Sequence, residues 1–160
     1  MESGTPFQLI DILLKHDVPI VIIGGHAVTY HGYVRATEDI DVIFLRTADS
    51  EQALLAALTE IHAHWIGNEI DPATGLERVF PVSLSYVQSS RLMMLTTDFG
   101  YLDIFDFIPG FPDHPVSEIF NSAVETDRRQ FASLAWLRKM KAVTGRAKDQ
   151  LDLENLPEGD

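Results

Sequence analysis

Apolar side chains recur along this chain with two spacings, one typical of helices and one typical of strands. Residues 6–16 place apolar side chains at helical spacing, which predicts a first helix packed on a sheet. The short apolar run at residues 19–23 predicts a strand. Residues 50–64 return to helical spacing and predict a second helix, capped by Asp49 or Ser50.

The second half of the chain contains further predicted elements. Residues 68–76 are polar with Pro and Gly and predict a loop, and residues 79–88 predict a strand for which a sheet edge is one placement. Residues 91–110 contain two β-rich stretches around a turn at Asp98-Phe99-Gly100. Residues 133–143 and 146–155 predict two helices broken near Thr144-Gly145. Their expected core positions are Leu134, Leu137, Met140, Leu151 and Leu156.

Two aspartates lie near the end of the segment VIIGGHAVTYHGYVRATEDIDVIF, residues 21–44. Asp39 and Asp41 are one residue apart and precede an apolar run, so their side chains should share one face of a strand. Paired carboxylates repel each other unless a cation lies between them. Oxygen ligands of this kind suit Mg²⁺ or Mn²⁺, so the pair predicts a divalent metal site.

Gly24 and Gly25 lie between the predicted strand and a helix-compatible run at residues 26–31. The glycines allow a tight turn and leave the amide groups of a helix N-terminus free. Such a terminus binds phosphate. A phosphate cradle followed by paired carboxylates on a neighbouring strand is a layout for a nucleoside triphosphate with a divalent metal.

This segment resembles the nucleotidyltransferase superfamily related to DNA polymerase β, in which a Gly-Gly or Gly-Ser turn is followed by Asp-x-Asp. It is most similar to small bacterial members, including lincosamide nucleotidyltransferases and toxin-like members of abortive-infection systems. These often contain Gly-Gly-x-Ala, then Arg-x-Thr, then Asp-Ile-Asp. The matching positions here are Gly24, Gly25, Ala27, Arg35, Thr37, Asp39, Ile40 and Asp41. The resemblance implies an α/β (α+β) nucleotidyltransferase fold, with a small, mixed, mainly antiparallel sheet flanked by helices.

The family also needs a third carboxylate from a later strand. Asp103 is set among apolar residues just before Ile108-Pro109-Gly110, as the third acid is in family members. Asp106, at the end of the same stretch, is the alternative, although an exposed strand end explains it better. The resemblance thus implies that Asp39, Asp41 and Asp103 are catalytic and bind Mg²⁺ or Mn²⁺, and that Asp103 can act as general base.

Basic residues cluster in one late segment. The chain has a net charge of −12, yet residues 128–148 contain seven basic residues and no acidic one. Overall acidity argues against an extended nucleic-acid footprint, whereas one basic segment can bind a triphosphate. Lys141, followed by Gly-Arg-x-Lys-Asp and Asp-Leu, resembles the C-terminal pattern of the family. Lys141 and Lys148 are therefore candidates for nucleotide contact, together with Gly24, Gly25, Arg35 and Thr37. Alternatively, Arg146 and Lys148 pair with Asp149 and Asp152 and hold the last helix in place.

Composition predicts one domain over residues 1–160, and the resemblance implies that it is a nucleotidyltransferase domain with residues 133–156 as a C-terminal helical segment packed on it. Cysteine is absent, which excludes disulfides and thiolate zinc sites. The start of the chain lacks the pattern of a signal peptide, and no apolar run approaches the ~20 residues of a membrane span. We therefore expect a cytoplasmic protein.

The expected reaction is attack of an acceptor hydroxyl on the α-phosphorus of ATP or another nucleoside triphosphate, with release of pyrophosphate. The acceptor is open: a small molecule, a protein side chain or an RNA end. A second hypothesis is a toxin–antitoxin type of protein-interaction module with weak or lost catalysis and a protein partner. A third is a metal-dependent phosphohydrolase, although such enzymes usually use histidine ligands, which are not convincingly placed here.

Overall fold

Helices and strands alternate along the chain in a computed structural model that describes residues 6–34 and 39–158. The helices are α1 (Pro6–Lys15), α2 (Gly24–Tyr30), α3 (Ala48–Glu60), α4 (Leu84–Ser89), α5 (Ser117–Asn121), α6 (Leu134–Thr144) and α7 (Ala147–Asn155). The strands are β1 (Ile20–Ile23), β2 (Ile40–Phe44), β3 (His64–Ile70), β4 (Glu77–Pro81), β5 (Leu92–Thr97), β6 (Gly100–Phe105), β7 (Val124–Thr126) and β8 (Arg129–Phe131). Among these residues, no helix has the length and apolar composition that crossing a bilayer requires.

The strands form one sheet in the order β4-β3-β5-β6-β2-β1-β8-β7. The β2–β6 and β1–β8 pairs are parallel, and the other neighbouring pairs are antiparallel. The predicted mixed, mainly antiparallel sheet flanked by helices is therefore confirmed. The sheet is wider than the small one expected, because the short β7–β8 hairpin and β3 lack a clear strand pattern in the sequence.

The central strands β1 and β2 are buried on both faces. Ile22 and Phe44 belong to a hydrophobic cluster with Leu9 and Leu13 of α1 and Leu58 of α3. Val21, Ile23 and Ile43 point to the other face, where they join Trp136 and Met140 of α6. Burial on both faces explains why these strands are continuous apolar runs, unlike the alternating pattern of a half-exposed strand.

The second helix begins and ends earlier than predicted. It spans Ala48–Glu60, and its N-cap is Thr47 instead of Asp49 or Ser50. The Thr47 hydroxyl accepts a hydrogen bond from the Ser50 amide at 2.9 Å, and the Ser50 hydroxyl accepts one from the Thr47 amide at 2.7 Å. This reciprocal capping box fixes the start of the helix. His64, predicted as helical, begins strand β3.

Two predictions between residues 68 and 88 are partly wrong. Residues 68–70 belong to β3, so the loop is shorter than expected, and the predicted strand at 79–88 ends at Pro81. Helix α4 follows, with the Ser83 hydroxyl accepting a hydrogen bond from the Tyr86 amide. Val87 is fully buried, so packing against the core selects a helix from a sequence with strand propensity. The predicted edge position is confirmed, because β4 is the outermost strand.

The hairpin β5–β6 and the two C-terminal helices match the predictions closely. Gly145 separates α6 from α7 and has a left-handed φ of 61°, which explains the glycine at this break. Leu137, Met140 and Leu156 are buried as expected. Leu151 is 52% exposed, so its assignment to the core was wrong. The buried face of α7 instead carries two aspartates, described with the site below.

Candidate active site

Gly24 forms the turn at the end of β1, directly beside an aspartate. Its φ is +68°, a conformation that side chains rarely adopt, and a Cβ atom built there would collide with Oδ2 of Asp41. The contact arises because β1 and β2 pair with Ile23 opposite Asp41. Gly25 follows inside α2 and is buried. The predicted strand, Gly-Gly turn and helix are confirmed, although the helix begins at Gly24 and ends at Tyr30, one residue before the predicted end at His31.

Asp41 and Asp103 lie side by side on neighbouring parallel strands. The β2–β6 register places Asp41 directly opposite Asp103, and their carboxyl groups are hydrogen-bonded to each other. Burial, and then the negative charges of Asp41 and Asp39, raise the pKa of Asp103 to about 7. Burial and the charge of Asp39 also raise the pKa of Asp41, against the opposing effects of the Asp103 hydrogen bond, Lys141 and Lys148. The pair therefore shares a proton near neutral pH, with Asp103 as the donor.

Asp39 precedes β2 and is exposed at the rim of the same cleft. It adds negative charge next to both carboxyl groups of the pair, as their raised pKa values record. The structure thus brings the three predicted acids to one cleft. Arg35 and Thr37, the predicted nucleotide contacts between the glycines and the acids, lie outside the described residues.

Asp106, the alternative third acid, has a different environment. Its carboxylate accepts hydrogen bonds from Arg46 Nε at 2.9 Å and from Arg91 Nε at 3.0 Å. Its side chain is only 12% exposed, so the expectation of an exposed strand end was wrong. Asp106 is not among the residues that line the cleft. Since Arg46 also contacts Glu51 and the end of α4, Asp106 holds the α3 and α4 ends together.

Basic and acidic side chains line one cavity of about 700 Å³. Three basic residues, which we call the basic wall, line it together with Asp149: Lys141 of α6, Arg146 at the N-cap of α7 and Lys148 of α7. Gly24, Gly25 and the three acids line the same cavity, and Leu137 and Met140 add apolar surface. Lys148 is exposed. The structure therefore brings both lysines selected from the sequence into the cleft that contains Asp41 and Asp103.

Lys141 is buried at the back of this wall by two aspartates of α7. Its ammonium group lies 3.3 Å from Asp149 and 3.1 Å from Asp152, and the three side chains are 7%, 0% and 1% exposed. Lys141, which the pairing hypothesis did not include, therefore forms buried ion pairs that hold the last helix in place. Arg146 pairs with Asp149 as expected, at 2.8 Å.

Asp149 is the junction of this network. It also accepts a hydrogen bond from the Thr144 hydroxyl at 2.6 Å. Burial alone would raise the pKa of Asp149, but hydrogen bonds from Arg146 and Thr144 and the charge of Lys141 outweigh burial and hold the pKa well below its usual range. Asp149 and Asp152 are three residues apart and lie buried on one face of α7, and that spacing was the sequence signal for their role in holding the helix.

The chemistry of the acidic pair fits a hard divalent cation. A cation that replaces the shared proton removes the repulsion between the two carboxylates, and carboxylate oxygens are the preferred ligands of Mg²⁺. Within residues 6–34 and 39–158, however, no group of three or more His, Asp or Glu side chains is close enough to hold a metal. Ligation by Asp39 in addition to Asp41 and Asp103 therefore stays a prediction.

Replacing Asp103 with Asn should stabilise the metal-free protein at pH 8. A carboxyl group whose pKa is raised on folding contributes stability that is lost as pH rises from its unfolded value of 3.8 to the folded value of about 7. Allowing for the half-exposed position, we expect a gain of about 1–2 kcal/mol at pH 8 and almost none at pH 4. Urea unfolding of both proteins at the two pH values measures it.

Asp106→Asn is the matched control for this experiment. It makes the same chemical change two residues away but removes a partner from Arg46 and Arg91, so it should destabilise the protein by about 1–3 kcal/mol at pH 8. If Asp103→Asn also destabilises the protein at pH 8, the two carboxyl groups do not repel each other as described.

Comparison of the sequence with family models and with curated proteins finds no match. Comparison of the fold with solved structures finds strong similarity. The lincosamide antibiotic adenylyltransferase LnuA, solved with lincomycin bound, superposes with a TM-score of 0.58 at 19% identity, over 97% of this chain and 95% of that one. The antibiotic-resistance factor ANT(2'')-Ia superposes with a TM-score of 0.57 at 16% identity, over 96% of this chain and 83% of that one.

This chain has a nucleotidyltransferase fold. The resemblance seen in the sequence rested on short motifs. The superpositions cover nearly the whole chain, so they confirm that resemblance at the level of the fold. In this nucleotidyltransferase fold, the Gly-Gly turn and the Asp41–Asp103 pair stand at the ends of the central strands, in the cleft that the basic wall also lines. Trp136 does not close the cleft, because it packs against Phe111 in the second hydrophobic cluster.

Proposed function

We propose that this protein is a metal-dependent nucleotidyltransferase that moves a nucleoside monophosphate from a nucleoside triphosphate to an acceptor hydroxyl. The observation that carries the proposal is the hydrogen-bonded Asp41–Asp103 pair, held beside Gly24 in one cleft with the basic wall. The carboxyl groups can bind a cation and accept a proton, and the basic side chains can bind phosphate. The fold shared with the lincosamide antibiotic adenylyltransferase LnuA supports this proposal.

Asp41 and Asp103, with Asp39 at the rim, would hold Mg²⁺ or Mn²⁺. When bound, the metal would supply charge that orients the triphosphate and lowers the pKa of the acceptor hydroxyl. Gly24 lacks a side chain, so phosphate oxygens can approach the backbone next to Asp41. The exposed Lys148 would neutralise phosphate charge, while the buried Lys141 adds positive potential from behind.

Asp103 would act as the general base. Asp103 lines the cleft beside Asp41, and as a carboxylate next to a bound cation it can accept the proton of an acceptor hydroxyl. The acceptor hydroxyl gives its proton to the Asp103 carboxylate and its oxygen forms a bond to the α-phosphorus. The bond from that phosphorus to the β-phosphate oxygen breaks, and pyrophosphate leaves with the electron pair.

Thermal unfolding with nucleotide tests this proposal. ATP with Mg²⁺ should raise the melting temperature by about 5–10 °C at a concentration near 100 times Kd, which corresponds to roughly 2.7 kcal/mol of binding linkage. ATP alone should give almost no shift, since the three acids repel a bare triphosphate. An equal shift with and without metal would contradict a metal-dependent site.

Lys148→Ala should reduce that shift without lowering the melting temperature of the free protein. Lys148 is exposed on the basic wall, so its loss weakens phosphate binding while costing little folding stability. Lys15→Ala is the control, because it makes the same charge change at a 59% exposed lysine outside the cleft. If both variants keep the full shift, Lys148 does not contact the nucleotide.

A further inference from the structure

A charged network joins the C-terminal ends of β2 and β6. Arg46 follows β2, and Asp106 follows β6. Arg46 Nε donates a hydrogen bond to Asp106 Oδ2 at 2.9 Å, and the two side chains are 23% and 12% exposed. We call this contact the cross-strand ion pair. It connects the same two strands that carry Asp41 and Asp103, which lie five and three residues earlier in the chain.

Further hydrogen bonds fix the guanidinium group of Arg46. Its Nη1 donates to the carbonyl oxygen of Val87 at 2.7 Å and to Glu51 at 2.8 Å, and its Nη2 donates to the carbonyl oxygen of Ser90 at 2.6 Å. All three nitrogens are therefore bonded, in the planar arrangement that a guanidinium group imposes. A group held in this way cannot follow Asp106 if the strands slide past each other.

Asp106 is attached to β5 on its other side. Arg91, the residue before β5, donates from Nε to Asp106 Oδ1 at 3.0 Å, and the Asp106 amide donates to the Arg91 carbonyl oxygen at 2.9 Å. The short turn at Asp98 and Phe99 fixes the register of the β5–β6 hairpin. The cross-strand ion pair thus connects β2 to a hairpin whose register is already fixed.

The register of β2 against β6 has no tight turn to fix it. The two strands pair in parallel, and residues 45–99 lie between them in the chain. Apolar patterning does not decide the register either, because a slip of two residues leaves every side chain on the same face. Val42, for example, lies opposite Ile104 and after such a slip would lie opposite Leu102, so an apolar pair would remain. A specific side-chain contact must therefore select the observed register.

Such a slip would separate the acidic pair. Two residues of a parallel strand span roughly 6.6 Å, so Asp41 would move from Asp103 to a position opposite Tyr101. That offset breaks the hydrogen bond between the two carboxyl groups. The same slip would pull Asp106 away from Arg46, whose guanidinium group is held by the end of α4. The cross-strand ion pair therefore opposes the slip.

We propose that Arg46 is a positioning residue, whose ion pair with Asp106 sets the β2–β6 register and so holds Asp41 beside Asp103 for metal binding and proton transfer. This inference rests on the proposed function. Arg46 is not among the residues that line the cleft, so it acts through the two strands and not by contact with a ligand. Partners that orient metal ligands typically change metal affinity by about 10- to 100-fold when they are replaced.

Methyl NMR measures the register without metal or nucleotide. Val42 and Ile104 lie directly opposite each other and are fully buried, so a strong NOE should join their methyl groups in the wild type. Arg46→Gln should weaken this NOE and strengthen the one between Val42 and Leu102. Unchanged NOEs in a folded Arg46→Gln protein would overturn the positioning role.

Binding of Mn²⁺ alone, followed by electron paramagnetic resonance, measures the consequence for the acids. Arg46→Gln should bind Mn²⁺ about 10- to 100-fold more weakly than the wild type. Leu13→Ala is the control for lost stability, because Leu13 is a fully buried residue of α1 that does not line the cleft. It should lower the melting temperature but keep both the Val42–Ile104 NOE and the Mn²⁺ affinity, at a temperature where each protein is folded.

Two further variants define which contact of Arg46 matters. Glu51→Gln removes an acidic partner on α3 but leaves the bond to Asp106, so it should keep the register and the Mn²⁺ affinity. Equal losses in Glu51→Gln and Arg46→Gln would overturn the proposal, because the effect would then pass through α3. Arg46→Lys is the second variant if Arg46→Gln does not fold. One ammonium nitrogen cannot bond Asp106 and the α4 carbonyl groups in the same geometry, so a smaller loss of the same kind is expected.

The two measurements distinguish this inference from the proposed function. Loss of the Val42–Ile104 NOE in Arg46→Gln, in a protein whose wild type binds no Mn²⁺, would refute the metal-dependent function and leave the role of Arg46 in the register standing. Equal Mn²⁺ affinity in the wild type and in Arg46→Gln would overturn the positioning role alone. Weaker Mn²⁺ binding with unchanged NOEs would also overturn it, because the loss would not pass through the register.

Discussion

Asn in place of Asp41 should reduce nucleotidyl transfer by at least about 100-fold, because loss of the partner of the proposed base should cost at least what one positioned acid–base group contributes. Asp41 is the carboxyl group that Asp103 hydrogen-bonds and that lies against Gly24, so its loss would remove both a proposed metal ligand and the partner of the proposed base. Incubation with α-labelled ATP, Mg²⁺ and fractionated cell extract, followed by counting of labelled product, measures the effect.

Asp98→Asn is the control for this experiment. Asp98 lies exposed in the β5–β6 turn and pairs with His62, so the same chemical change there should leave transfer unaffected. Asp41→Asn itself should remain folded and, without metal, be at least as stable as the wild type, because one of two repelling groups is gone. Full activity in Asp41→Asn would exclude the mechanism. Absence of labelled product even with the wild type would favour the interaction-module hypothesis.

Alanine in place of Lys141 should lower the free energy of unfolding by about 3–5 kcal/mol, because it removes the ammonium group that lies between two buried carboxylates. Asp149 and Asp152 are 0% and 1% exposed beside it. Arg146 and Thr144 still contact Asp149, but their bonds do not replace the positive charge that Lys141 shares between the two carboxylates. Urea unfolding followed by circular dichroism measures the loss.

Lys148→Ala provides the contrast, since an exposed lysine at the same wall should change stability by less than about 0.5 kcal/mol. A second comparison places Lys141→Ala in a background that carries Asp149→Asn and Asp152→Asn. There the cost should be much smaller, because the buried charges that need compensation have been removed. If Lys141→Ala in the otherwise unchanged protein lowers the free energy of unfolding by less than about 1 kcal/mol, then water solvates Lys141, Asp149 and Asp152.

The strands and helices around the cleft were predictable because their signals are local. The apolar runs on either side of Gly24 and Asp41, the turn at Asp98, and the break at Gly145 each depend on a few neighbouring residues. Local signals failed where two of them competed. Residues 84–89 have strand propensity. They fold as a helix because Ser83 caps the N-terminus and Val87 packs in the core.

The sequence by itself determined that Asp39 and Asp41 stand together after a Gly-Gly turn, since one intervening residue in a strand returns a side chain to the same face. It left two candidates for the third acid, because the odd spacing of Asp103 and Asp106 puts them on opposite faces of an extended segment whose partner strand the sequence does not specify. The parallel register of β2 with β6 decided the geometry, placing Asp103 in the cleft and leaving Asp106 to Arg46 and Arg91.

Tertiary packing also decides the environments of the two lysines. Lys141 and Lys148 are alike in sequence, but the packing of α7 on α6 buries the first between two carboxylates and leaves the second in the cleft. Spacing along the chain fixes which side chains share a face of one element, whereas only tertiary pairing decides which faces meet.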